Sequence, residues 1–196
     1  ILTAGYPGQQ GGNAIADVLF GDYNPAGRLP VTYYKSVNQL PDFENYDMKG
    51  RTYRYFDKKP LYPFGFGLSY TQFKYGKLQI PGNVNPEKDF EISVEVTNIG
   101  DRDGDEVAEL YLKDEKASTP RPIVQLEGFE RIHLKKGETK TVRFTITPRQ
   151  LSLINDKDQR VVEPGWFTVS VGGKQPDGSK DNQSGRFKIS GKPLLL

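Results

Sequence analysis

Between residues 90 and 97 every second side chain is apolar: Phe90, Ile92, Val94 and Val96 alternate with Glu91, Ser93, Glu95 and Thr97. A strand that presents one face to a core and the other to water has this period of two, whereas a helix repeats every 3.6 residues. The same alternation returns at Ala108, Leu110 and Leu112, at Val142, Phe144 and Ile146, and at Phe167, Val169 and Val171. Further strands are expected at 124–134 and 186–190, and turn clusters such as Asn98-Ile99-Gly100-Asp101 and Lys135-Lys136-Gly137-Glu138 separate them. About seven short strands over such a stretch suit a two-sheet antiparallel sandwich of immunoglobulin-like architecture.

Ahead of this region the pattern is different. Sixteen of the 23 Phe, Tyr and Trp residues lie in the first 75 positions. Ala14, Ile15, Val18 and Leu19 form one apolar stripe of a short helix, with Gly21 placed to end it in a left-handed conformation. Asn24-Pro25-Ala26-Gly27 reads as a turn, and Arg28 to Tyr34 as a strand. Prolines at 41, 60 and 63 forbid a long helix after that strand, so 35–76 reads as an extended segment pinned by its aromatic rings. The expected division is 1–34, the end of an α/β layer; 35–76, an aromatic-rich linker; and 77–196, the sandwich, with Pro81-Gly82-Asn83 as turn material near the boundary. An α/β unit needs neighbours to cover both faces. With no signal-peptide pattern or Met at its start, the chain is expected to be the tail of a larger protein.

Composition narrows the function classes. Hydrophobic residues make up 35% of the chain, enough for a packed core, and the net charge of +2 is too small to suggest a nucleic-acid partner. No run of 18 apolar residues suggests a membrane span, and the lack of cysteine excludes disulfides and thiolate metal sites.

Several motifs invite a chemical reading. The glycines at 5, 8, 11 and 12 precede a helix, but Asn13 and Ala14 stand where a phosphate loop needs Lys and Ser or Thr. Close backbone packing is the better use of them. Gly67-Leu68-Ser69-Tyr70-Thr71 misses a nucleophile elbow because Thr71 replaces its last glycine, and the only imidazole, His133, sits at a strand-edge position. Asp101 to Glu106 lacks the glycine and glutamate spacing of an EF-hand and reads as a solvated acidic hairpin tip. Trp166 reads as core, and Arg28 as a structural salt-bridge residue. No metal or cofactor site emerges.

Three motifs together carry a resemblance. Pro7 to Thr32 (PGQQGGNAIADVLFGDYNPAGRLPVT) resembles the end of the C-terminal α/β domain of glycoside hydrolase family 3. Arg51 to Phe56 (RTYRYF) and Tyr62 to Thr71 (YPFGFGLSYT) resemble that family's linker into its last domain. Residues 77 to 190, including Gln125-Leu126-Glu127-Gly128-Phe129, are similar to its fibronectin type III-like domain.

The resemblance implies a mainly β chain: an immunoglobulin or fibronectin type III-like sandwich preceded by a truncated α/β piece and an extended aromatic linker. It implies a retaining, exo-acting enzyme, a β-glucosidase or β-xylosidase, that releases terminal β-linked glucose or xylose without a cofactor. Such an enzyme holds two carboxylates about 5 Å apart. The family's nucleophile is an Asp in an upstream barrel-like domain, and its acid/base, where it is a Glu, precedes Pro7. No catalytic residue is therefore carried onto this chain, and nothing pairs the linker carboxylates Glu44, Asp47 and Asp57. Asp47, Arg51 and Tyr53 are the candidates for approaching the sugar in the whole enzyme, with structural anchoring of their loop the favoured alternative. The implied partners are the upstream catalytic domains and a β-linked glycoside, with no nucleic acid and no membrane. The implied location is periplasmic or secreted. A stand-alone structural or carbohydrate-interaction sandwich is the alternative reading.

Overall fold

The computed structural model describes residues 1–176 and 182–196. It opens on helix α1 (Gly11–Phe20), which Gly21 ends at φ 86°, its N–H donating to the Val18 carbonyl at 3.3 Å. Only glycine enters this left-handed region without a Cβ penalty. The apolar stripe of α1 has little to rest on, since Ile15 and Val18 are half-buried while Ala14, Leu19 and Phe20 are exposed. Residues 28–34 do not form the expected strand. Their pairing is one antiparallel bridge, Tyr33 to Tyr62, plus Leu29 N–H to the Phe66 carbonyl and Gly65 N–H to the Leu29 carbonyl. Pro30 has no N–H to give a ladder, and no continuous second strand lies beside it.

A 3-10 turn at Val37–Gln39 and the single helical turn α2 (Thr52–Tyr55) are the regular pieces of the linker. None of Tyr53, Tyr55, Phe56, Tyr62, Phe64 and Phe66 is exposed; they pack as expected. Tyr62 stacks on Phe66 at 5.2 Å between ring centroids, and Tyr34 meets Phe56 edge-on at 4.8 Å.

The sandwich follows: β1 (Phe73–Tyr75), β2 (Phe90–Asn98), β3 (Gly104–Asp114), β4 (Gln125–Leu134), β5 (Thr139–Ile146), α3 (Pro148–Leu151), β6 (Leu153–Ile154), β7 (Arg160–Val162), β8 (Gly165–Gly172), β9 (Gln183–Ile189) and β10 (Leu194–Leu195). One sheet has the order β1-β2-β5 and the other β4-β3-β8-β9, with a small third sheet β10-β7-β6. All pairs are antiparallel. The alternating residues named from the sequence face inward together: Ile92 pairs with Phe144, Val94 with Val142, Leu110 with Val171, and Leu112 with Val169. Two differences stand out. The strands β6, β7 and β10, of two or three residues, are too short to show a period. Trp166 is not core but 42% exposed, with Arg186 lying 4.6 Å over its ring. A cation held over an indole face explains how it sits at the surface.

Strand β3 is buried on both faces from Ala108 to Leu112. Ala108, Leu110 and Leu112 point into the core, and by the period of two Glu109 and Tyr111 point outward. An antiparallel sheet can leave its outer face in water. Here the first seventy residues cover it.

Candidate functional site at the seam

The covering contact is built around six side chains: Asn24, Arg28, Tyr75, Glu106, Glu109 and Tyr111. Asn24 follows the end of α1, and its Oδ1 accepts from the Ser69 hydroxyl at 3.0 Å and the Tyr70 N–H at 2.8 Å, while its Nδ2 donates to the Asp103 carbonyl at 3.4 Å. The turn it opens aims Arg28 into the sandwich. Arg28 Nε donates to the Gly173 carbonyl at 3.0 Å, and its Nη2 lies 2.5 Å from Glu106 Oε2. The Tyr75 hydroxyl donates to Glu106 Oε1 at 2.7 Å. On the outer face of β3, the Tyr111 hydroxyl donates to Glu109 Oε2 at 2.5 Å. Gly65, at φ 76°, lies so close over that carboxylate that a Cβ would collide with it.

Burial dominates the electrostatics. It raises Glu106 above the ordinary carboxylate value even though Arg28 and Tyr75 pull the other way. Glu109 is raised by burial as well, opposed by the Tyr111 hydrogen bond. Burial and the neighbouring Glu109 charge hold Tyr111 far above the tyrosine range. An isolated buried carboxylate is expensive unless paired and hydrogen-bonded. Arg28 supplies that pairing for Glu106, so it is the salt-bridge residue expected.

Glu106 therefore does not belong to a solvated acidic tip. Its signal in the sequence was an acid on the inward register of an otherwise apolar strand, with Glu109 and Tyr111 on the opposite register. The remaining tip residues are paired: Asp101 with Lys136 at 2.9 Å, and Asp105 with Arg131 and His133 at 2.5 and 2.7 Å. Among the described residues no group of three or more His, Cys, Asp or Glu is placed to hold a metal ion. Ser69 is hydrogen-bonded to Asn24 and His133 to Asp105, so the two do not form a nucleophile and base.

The three candidate residues of the linker fall in three different environments. Tyr53 is an anchor: it stacks on Phe64 at 4.3 Å, meets Tyr111 edge-on at 6.1 Å, and its hydroxyl accepts the Leu126 N–H at 3.1 Å. Burial raises its pKa. Arg51 ties a loop together by donating to the backbone carbonyls of Asp47 (3.0 Å), Asp42 (3.5 Å) and Asn45. Asp47 is exposed, and among the described residues its carboxylate has no hydrogen-bond or ion-pair partner. Between Arg51 and Tyr53, Thr52 takes φ 52°. A β-branched residue in the left-handed region is strained; its N–H donates to the Tyr34 hydroxyl at 3.1 Å. The loop at 42–48 carries Phe43 and Tyr46, 96% and 91% exposed.

The fold and seam thus define a β-sandwich domain with helix α1 and the aromatic linker locked onto it. Residues 1–70 match the glycosyl hydrolase family 3 C-terminal domain, and residues 106–175 a fibronectin type III-like domain. The chain belongs to glycoside hydrolase family 3, with the C-terminal α/β and fibronectin type III-like parts of that family.

It is 46% identical over 178 residues to a beta-xylosidase of Formosa agariphila, covering 88% of this chain and 25% of that protein. It is likewise 46% identical over 186 residues to a periplasmic beta-glucosidase of Salmonella typhimurium, covering 88% of this chain and 24% of that one. Among solved structures, a beta-glucosidase of Listeria innocua in complex with glucose superposes with a TM-score of 0.81 at 33% identity, over 96% of this chain and 28% of that chain. The chain spans about a quarter of the length of these curated relatives.

Proposed function

We propose that this chain is the C-terminal part of a retaining, exo-acting glycoside hydrolase that releases terminal β-linked glucose or xylose, and that its role there is to buttress the catalytic domains. The observation that carries this reading is the co-occurrence, in order, of the two family domains with relatives named as β-xylosidases and β-glucosidases. The surface supports it. Ile1, Leu2, Tyr6, Leu19, Phe20 and Leu68 all expose large apolar side chains, and apolar surface of that kind marks a place where other protein packs. Upstream catalytic domains are the natural cover for α1 and its neighbours.

The division 1–34, 35–76 and 77–196 is part of the same proposal. Within it, Asp47 is the residue of the 42–51 loop offered to the sugar, Arg51 the clasp that shapes the loop, and Tyr53 the anchor that fixes its base. Asp47 supports this role because its carboxylate is unengaged and exposed.

The test is to assay the 196-residue chain and a longer protein containing it, side by side, on aryl β-glucoside and aryl β-xyloside. Turnover by the longer protein alone is expected. Activity in the isolated chain that survives repurification would overturn the buttressing role. An inactive longer protein would favour the stand-alone sandwich. Asp47→Ala in the longer protein should raise KM; an unchanged KM removes Asp47 from the sugar site.

A further inference from the structure

An open cleft of about 500 Å³ lies on the far side of the linker, between α2, the 119–122 loop and α3, and its walls carry four guanidinium groups, from Arg54, Arg121, Arg149 and Arg160. Buried or clustered arginines are ordinarily matched by carboxylates. Here they are not. Arg54 donates from Nη2 to the amide oxygen of Gln125 at 2.5 Å, and its Nε is buried with no acceptor. Arg160 reaches only the Ser152 hydroxyl, at 3.0 Å. The Arg149 guanidinium has no hydrogen-bond or ion-pair partner among the described residues. Arg121 alone has an acid within ion-pair range, Asp114 at 3.7 Å, besides donating to the Leu151 carbonyl at 3.4 Å. Glu127 is the one carboxylate in the lining; burial raises its pKa, opposed by the Gln150 hydrogen bond and by the nearby charges of Arg121 and Arg54. The lining therefore sets four arginines against one carboxylate and keeps an excess of positive charge.

We infer that this cleft binds an acidic saccharide, with the carboxylate of a sugar acid taken by the arginines. A planar guanidinium matches a carboxylate through two parallel hydrogen bonds, and such charge-assisted bonds are the strong ones. The rest of the lining selects a sugar over a bare oxyanion. Gln125, Gln150, Ser152 and Thr119 offer donors and acceptors together, as the several hydroxyls of a sugar ring require, whereas hydrogenphosphate has a single hydroxyl to donate. Tyr55 and Ile154 add apolar wall for a pyranose face. The volume falls in the range of small-molecule sites, about 300–1,000 Å³. Arg54 and Gln125 also tie the linker to the sandwich, whereas among the described residues Arg121, Arg149 and Arg160 make no hydrogen bond or ion pair with the first seventy residues, and the inference does not depend on the hydrolase reading.

The 196-residue chain is titrated with sodium glucuronate, glucose and inorganic phosphate at low salt, by calorimetry and by amide chemical shifts. Glucuronate should bind about tenfold or more tightly than glucose, with shifts at Gln125, Gln150 and Ser152, and should weaken as salt is added. Arg149→Gln should weaken it about tenfold with no change in melting temperature, because that guanidinium has no partner to lose. Arg160→Gln, checked for an unchanged far-ultraviolet spectrum, should do the same. Glucose binding as tightly as glucuronate overturns the assignment of the arginines. Phosphate binding as tightly as glucuronate overturns the saccharide. Unchanged affinity in Arg149→Gln, or no binding of glucuronate, overturns the site.

Discussion

The sandwich and the first seventy residues keep their apolar side chains in opposite places. From Tyr75 to Ile189 twenty buried residues share one core. Before position 71 the only buried hydrophobic residues are Ala26 and Phe56, while Phe43, Tyr46 and Phe20 stand almost wholly in solvent. Two facing sheets complete an interior from their own strands, because each supplies one apolar face to the other. A helix with a short extended ribbon has no second layer of its own, so it is held by polar pegs instead: Asn24, Arg28 and Tyr53. One region is stabilised by burial, the other by a few directional contacts with it.

That contrast can be broken at several points. Phe144→Ala should cost about 3–5 kcal/mol in urea unfolding, because Phe144 is 5% exposed at the centre of the core; a loss under about 1 kcal/mol would mean that the interior is not finished by the sandwich. Glu106→Ala should cost about 3 kcal/mol by leaving Arg28 buried without its acid. The loss should fall on one side of the seam: amide exchange is expected to quicken at Leu29 and Gly65 while Val94 and Val169 stay protected. Equal quickening on both sides would show that the two regions are one cooperative unit.

A third measurement uses pH. Burial raises the Glu109 pKa above the ordinary 4.5, so the folded state favours its protonated form. Its contribution is complete below pH 4.5 and is lost as pH rises through the higher folded value. Glu109→Gln keeps an acceptor for Tyr111 and cannot ionise. Its stability relative to the unmodified chain should therefore improve from pH 4 to neutrality, read from paired denaturation curves; a constant difference would remove Glu109 as the titrating group. The smallest effect belongs to Phe43→Ala, within about 0.5 kcal/mol in this chain. A larger loss would reveal packing that the exposed ring does not have.

Sheet interiors were legible in the sequence because alternation at Ile92, Val94 and Val96 is a local signal of a nonlocal fact. Gly21 was legible for a similar reason, since one residue type fits one backbone conformation. Strands β6 and β7 were not, because two or three residues carry no period. The surface position of Trp166 was hidden because its partner, Arg186, lies twenty positions on and across a strand pair. At the seam, Arg28 could be read as an ion-pair residue, but Glu106 is 78 positions away and sat within an acidic run. Of the linker residues, the sequence could mark Tyr53 as an anchor by its aromatic neighbours, but not that Leu126 would supply its hydrogen bond.

The reach of Arg28 also sets an order in time. The Gly173 carbonyl that its Nε engages is 145 residues further along the chain, which at about 5–20 residues per second is roughly 7–30 s of synthesis. Within that interval the aromatic segment is made, and the sheet it covers stays incomplete until β8 at Gly165–Gly172 has joined β3. Translation of this chain thus includes a waiting period, and that period is when a chaperone has the most to shield.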